Sequence, residues 1–299
     1  MKVVSVSKKV LIVGIKSFTG KYLEDELHAH GYDVYGCDII QGNDSHYYKC
    51  DITKKNELIE IINSVKPNYI VHLVAISFVP HAEISEIYNI NLFGTLNLLD
   101  AVLETNCSIQ KILIVSSGNV YGEPAIEYID ENIRPKPVSH YANSKLAMEH
   151  MVNTYCDILP LIITRPFNYT GKNQHVKFLI PKIISHFRDK KETIELGNLG
   201  IVRDFSDVRF VTNAYRRLLE SSATSETVNI CSGYGIALTD IISYACNIAG
   251  YHIKVEVNPE FLRKNEIKTL IGVNHKLMSL IGKIDPIPIK ETLRWMMID

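Results

Sequence analysis

What most limits the fold of this chain is a repeated change of period. Short, almost wholly apolar runs alternate with stretches whose apolar residues recur every three or four positions. "KKVLIVG" at 8–14 is followed by "KYLEDELHAHG" at 21–31, where Leu23 and Leu27 share a face and Gly31 suits a helix end. "YDVYGCD" at 32–38, "YIVHLVA" at 69–75, "KILIVSS" at 111–117 and "LPLIITRPF" at 159–167 continue the strand series. Helices are predicted around 54–65, 84–105 and 140–156. Strands that are apolar on both faces and separated by helices belong to a parallel sheet covered on both sides. Its crossovers are then right-handed. The expected fold class is α/β, doubly wound about that sheet. After Phe167 the pattern becomes irregular and carries Pro181, Pro259, Pro286 and Pro288, which predicts a smaller C-terminal substrate-binding region over one sheet edge. The predicted division gives 1–166, with parts of 198–240, to the sheet domain and 167–197 with 241–299 to the smaller region.

Composition narrows the partners. The 299 residues carry a formal net charge of −1, with both signs interspersed. That leaves no basic face for nucleic acid and no polybasic stretch for an anionic membrane. The N-terminal apolar run is short and ends in a glycine turn, unlike a secretory leader. No run reaches the roughly 18–20 apolar residues that span a bilayer. Six scattered cysteines without a CxxC pair read as reduced core residues of a cytoplasmic protein. No His, Cys and acidic residues fall at metal-ligand spacing, so no metal is expected, and His72, His81 and His140 read as structural.

Gly14 closes the first strand and Gly20 lies in the first turn of the helix after it, with Ser17 between. Glycines there let backbone approach a pyrophosphate, and the helix start offers free N–H groups. The same spacing also makes an ordinary tight strand–helix turn. Asp38, 18 residues beyond Gly20 at the end of the second strand, is placed to accept hydrogen bonds from an adenosine ribose. The pattern is that of a Rossmann, NAD(P)-binding domain. A carboxylate at Asp38 repels a 2′-phosphate, so NADH is preferred to NADPH. Asp51 reads as a helix N-cap, an adenine contact, or both.

"YANSK" at 141–145 puts Tyr141 and Lys145 on one helix face. A free tyrosine has a pKa near 10, and a nearby ammonium lowers it towards use as a general acid or base. The strand at 111–117 ends in Ser116 and Ser117 at the sheet edge where ligands of open α/β sheets bind, so a hydroxyl there can meet a substrate carbonyl.

Taken with "GIKSFTG" at 14–20, "HLVAISFV" at 72–79, "NINLFGTLNLLDA" at 89–101, "SSGNVYG" at 116–122, "RPFNYTG" at 165–171 and "RDFSDVR" at 203–209, the chain resembles the extended short-chain dehydrogenase/reductases over nearly its whole length. These are nucleotide-sugar epimerases, dehydratases and reductases. The resemblance implies catalysis by Ser117, Tyr141 and Lys145, with Ser117 rather than Ser116 as the hydroxyl. It implies cofactor contacts at Gly14, Ser17, Phe18, Gly20, Asp38, Asp51, Ile52, Ala75, Tyr141 and Lys145. The family's 4,6-dehydratases carry an Asp–Glu pair after the hydroxyl residue. Here Gly118 and Asn119 stand there, which argues against dehydration. "SSGNVYG", "RPFNYTGKNQ" and the late "RKNEIKTLIGVNHKLMSLIG" at 263–282 resemble reductases of GDP- or dTDP-4-keto-6-deoxyhexoses. The implied reaction is reduction at C4 of the ketosugar, in deoxysugar synthesis for surface glycans. Two positions depart from the pattern: Ser17 replaces a glycine, and Phe210 stands where an acid is usual.

On the substrate side the candidates are Ser77, Asn168, Lys177, Arg203, Arg209 and Arg263. A guanidinium fork matches phosphate oxygens, although Asp204 and Asp207 offer Arg203 and Arg209 a purely structural ion pair. Apolar stripes at Leu92, Leu98 and Leu99 and at Leu146, Met148 and Met151 are core or, as the resemblance implies, a homodimer interface. Two other functions fit the same residues: a nucleotide-sugar 4-epimerase, and a non-enzymatic dinucleotide-binding regulator.

Overall fold

The computed structural model describes residues 7–42, 44–77, 83–262 and 267–298. His81 and Arg263 lie outside the described residues. The strands are β1 (Lys9–Val13), β2 (Asp33–Asp38), β3 (Tyr47–Lys49), β4 (Tyr69–His72), β5 (Lys111–Val115), β6 (Tyr128–Ile129), β7 (Leu161–Pro166), β8 (Asn168–Thr170), β9 (Thr193–Leu196), β10 (Val202–Asp207), β11 (Glu226–Ile230), β12 (Gly235–Ala237), β13 (Lys254–Val257) and β14 (Thr269–Gly272). The helices are α1 (Phe18–Ala29), α2 (Lys55–Val65), α3 (Ile84–Tyr88), α4 (Thr95–Thr105), α5 (His140–Asn153), α6 (Leu179–Arg188), α7 (Val208–Glu220), α8 (Leu238–Ala249), α9 (His275–Ile281) and α10 (Ile289–Met297).

A seven-stranded sheet in the order β11-β7-β5-β4-β1-β2-β3 forms the centre, and every adjacent pair in it is parallel. Alternating side chains feed two cores. Leu11 and Val13 meet Leu58, Leu98 and Met148 of α2, α4 and α5. Val10 and Ile12 meet Leu23 and Leu27 of α1 and Val211 and Leu218 of α7. This is why the strands read as unbroken apolar runs. Phe210, the missing acid, belongs to the second core. The strand order reverses between β1 and β4, which opens a crevice beyond their carboxyl ends.

The smaller part is built on β10, which pairs with β8, β12 and β14. Its core lies among α6, α8 and α10, from Ile180 and Ile184 to Leu293 and Met296. β11 and α7 return to the central sheet and its covering layer.

The single helix expected over 84–105 is broken. Between α3 and α4 the chain makes a π-helical turn, Asn89–Gly94. The Thr95 hydroxyl donates to the Asn91 carbonyl at 2.9 Å and sits 2.9 Å from His72 Nε2. Gly94 fits the widened turn against Ile52, whose Cγ2 would lie 2.8 Å from an added Cβ. Of the two predicted stripes, Leu98, Leu99 and Met148 are core, whereas Met151 is exposed.

The turn after β1 has no slack. Gly14 takes φ +96°, and a Cβ on Gly20 would stand 2.4 Å from the Ile15 carbonyl oxygen and 2.6 Å from that of Gly14. Backbone cannot yield as a flexible side chain does. Gly20→Ala is therefore expected to destabilise the fold by roughly 1–3 kcal/mol, read as a lower thermal midpoint; an unchanged midpoint would show that the turn relaxes freely.

Candidate active site

A cleft of about 670 Å³ opens at the switch point. Ser17 and Phe18 from the first turn, Ala75 and Ser77 after β4, Ser116 and Ser117 after β5, Tyr141 and Lys145 from α5, and Asn168 and Lys177 from the smaller part all line it. The dinucleotide turn and the tyrosine–lysine pair, 121 residues apart between Gly20 and Tyr141, thus share one cavity.

At the turn, Ser17 is the N-cap of α1, its Oγ accepting the Gly20 N–H at 3.0 Å. The residue that departs from the glycine pattern therefore satisfies a helix-end donor. Asp38 is tied to the same turn, accepting the Lys16 N–H at 3.1 Å. Asp51 is not the N-cap of α2. That position is Lys54, while the Asp51 carboxylate accepts the Thr53 N–H and hydroxyl, bonds that hold it below the usual range. Asp51 and Ile52 do not line the cleft; Ile52 is buried under Gly94.

Ser116 and Ser117 point to different work. The Ser116 hydroxyl donates to the buried Glu149 carboxylate. The Ser117 Oγ accepts the Asn119 N–H at 3.2 Å, and Ser117 lines the cleft together with Tyr141. Gly118 allows this crowding, since an added Cβ would lie 3.0 Å from the Phe167 ring. Ser139 caps α5 by accepting the Ala142 N–H, which fixes Tyr141 in the first turn.

The expected lowering of the Tyr141 pKa does not occur. Burial pushes it up to about 12, the Ser117 side chain opposes this, and Tyr169 adds to the rise. The phenol is thus held as a proton donor. Lys145, almost fully buried, is pushed down to about 8 by burial, with Glu149 acting the other way. His72, packed behind it, is driven to about 3 by burial and then by the Lys145 charge. It is a neutral core residue.

Asn168 presents a buried Oδ1 with no hydrogen-bond partner among the described residues, an acceptor awaiting a donor. Arg203 and Arg209 do not line the cleft. Arg203 donates to the carbonyls of Val202, Ile267 and Lys268. Arg209 pairs with Asp207 at 2.7 Å and stacks 3.9 Å from the Trp295 ring centroid. The structural ion pair foreseen for Arg209 is the one that forms.

Several contributors escaped sequence reasoning. Tyr169 lines the cleft, 2.8 Å from the Thr19 hydroxyl. Asn91 joins the loop after β4 to α5 through Ile76 and Ser144. Glu149 and Arg165 form a buried ion pair behind the serines. The last had a legible trace: Arg165 is a charge inside an otherwise apolar strand.

One cavity joins the turn after β1 to the side chains of Ser117, Tyr141 and Lys145. Residues 10–231 match the NAD dependent epimerase/dehydratase family, and the chain belongs to it. It is 34% identical over 275 residues to a GDP-6-deoxy-D-talose 4-dehydrogenase of Aggregatibacter actinomycetemcomitans, covering 92% of this chain and 91% of that one. It is 29% identical to a GDP-6-deoxy-D-mannose reductase of Pseudomonas aeruginosa, over 98% of this chain and 97% of the relative. The solved structure of RMD from Pseudomonas aeruginosa complexed with NADPH superposes with a TM-score of 0.86 at 27% identity, over 97% and 98% of the two chains.

The two serines are separable by substitution. Ser117→Ala removes the hydroxyl beside Tyr141 and is expected to lower kcat about 100-fold, whereas Ser116→Ala costs less than about tenfold because Glu149 keeps Arg165. Equal losses in steady-state rates would contradict this assignment.

Proposed function

We propose that this chain reduces the C4 keto group of a GDP-linked 4-keto-6-deoxyhexose with a reduced nicotinamide dinucleotide. It is an NAD(P)-dependent oxidoreductase of nucleotide sugars. The observation that carries the finer reading is that Ser117, Tyr141 and Lys145 line one cleft, with Gly118 and Asn119 where a dehydrating acid pair would stand. Both named relatives act on GDP-6-deoxy sugars, which favours guanine over thymine as the base.

The residues present fit a dinucleotide. Gly14 and Gly20 let the turn after β1 close tightly on itself, and Asp38 stands at the end of β2 for the adenosine ribose. When bound, the reduced nicotinamide supplies a hydride. Lys145 holds the nicotinamide ribose. Ser117 donates to the substrate carbonyl oxygen, and Tyr141, kept protonated by burial, passes its proton to that oxygen as it becomes a hydroxyl. Asn168 accepts from a sugar hydroxyl or the nicotinamide amide. Ser77 and Lys177 face the sugar and diphosphate. The carboxylate of Asp38 supports NADH over NADPH. The substrate side comprises 167–197 and 241–299. Exposed Phe93, Leu103 and Met151 on the π turn, α4 and α5 support a homodimer through these helices.

The test is reduced-nicotinamide consumption with GDP- and dTDP-4-keto-6-deoxyhexoses. Consumption with the GDP sugar is expected, reduced about 100- to 10,000-fold in Tyr141→Phe. Because Lys145 titrates at about 8, kcat/KM is expected to fall as pH rises through that value, while Tyr141 stays protonated. Interconversion of UDP-hexoses without net consumption would instead make the chain an epimerase.

A further inference from the structure

Behind the cleft lies a polar network buried between α5 and the sheet. Glu149 is one helical turn beyond Lys145, as Lys145 is one turn beyond Tyr141, so the three share a face. Lys145 and Glu149 are buried to 2% and 3% exposure. Arg165 grips the carboxylate through Nε at 3.0 and 3.2 Å and Nη2 at 2.6 Å. The Ser116 hydroxyl, next to Ser117, donates to the same carboxylate. From its other side Arg165 donates to the Tyr121 hydroxyl at 2.9 Å, which donates to Asn229 at 2.7 Å.

We propose that Glu149, clamped by Arg165, is a positioning residue that keeps Lys145 charged and holds the strand end carrying Ser117 in place. A buried Arg–Glu pair on its own adds little net stability, because desolvation offsets the attraction. The pair also links two neighbours: Glu149 follows Lys145 by four residues on the same helix face, and the guanidinium reaches on to Tyr121.

Among the described residues, Glu149 of α5 is the acidic group that acts on Lys145, and the neutral His72 of β4 lies close enough to feel its charge. Asn91 of the π turn bonds Ser144, the neighbour of Lys145, and Thr95 of α4 bonds His72. Among the described residues the hydrogen-bond partner of the ammonium is the Met148 sulfur, at 3.9 Å. Glu149 is the carboxylate that opposes the burial of this lysine, whose titration already sits near 8. Without it, Lys145 would lose its proton within the working range. Arg165 in turn stays charged: burial works against it, and Glu149 and Tyr121 more than restore it.

The inference rests on the proposed role of Lys145 but is tested without turnover. In protein labelled with ¹³C-lysine, the Lys145 Cε resonance is assigned by its loss in Lys145→Arg, and its titration midpoint is followed. Glu149→Gln is expected to lower the midpoint by about one pH unit or more, and to move the high-pH limb of kcat/KM down by a similar amount; Glu149→Asp should shift both less. If the orphaned Arg165 prevents folding, Glu149→Gln/Arg165→Met, which leaves no unpaired charge, is expected to show the same fall. A midpoint that does not move in the variants that fold, with only the melting temperature lowered, overturns the proposal and leaves Glu149 a core ion pair. A shifted midpoint in a protein that reduces no ketosugar would uphold it and fail the proposed substrate instead.

Discussion

An ammonium buried almost completely at the carboxyl edge of a parallel sheet is the constraint on which this site depends. Among the described residues no carboxylate is bonded to Lys145, and burial works to strip its proton. Its charge survives because Glu149 follows on the same face of α5 and because that carboxylate is held from behind by Arg165 and Ser116. The same helix presents Tyr141 to Ser117, so the depth at which α5 packs sets the electrostatics of the cleft.

The sheet topology makes that depth useful. Reversal of strand order between β1 and β4 leaves the helix covers diverging above the strand ends, and a cavity of about 670 Å³ lies there. On one side the turn between Gly14 and Gly20 brings Lys16, Ser17 and Phe18 to the wall. On the other, β8 and the chain that follows it bring Asn168 and Lys177 over the opening. Hydroxyl residues Ser116, Ser117 and Tyr141 line one part of the cleft, and Ser17, Phe18 and Thr19 of the first turn line another.

Much of this was legible in the sequence, for physical reasons. Strands buried on both faces must be apolar throughout, so β1, β4, β5 and β7 declare themselves. A four-residue spacing inside a helix fixes Tyr141 and Lys145 on one face whatever the tertiary fold. What stayed hidden has no period. The π turn at Asn89–Gly94 adds a residue to one turn and looks like ordinary helix. Arg209 finds Asp207 two positions away, and Arg203 finds carbonyls 64 and 65 positions away; spacing does not separate such partners from a phosphate. The pKa of Tyr141 went the other way from a pairwise argument because burial, which sequence does not quantify, outweighs a neighbouring charge.

A tyrosine held protonated, a charged lysine behind it, and Gly118 and Asn119 after the hydroxyl residue are what the proposed carbonyl reduction would need. The most direct measurement is the fate of the transferred hydrogen. With GDP-4-keto-6-deoxymannose and nicotinamide dinucleotide deuterated at the transferable position, the account predicts one deuterium bound to C4 of the sugar and one oxidised dinucleotide per turnover. Deuterium retained by the dinucleotide, with the sugar unreduced, would contradict it.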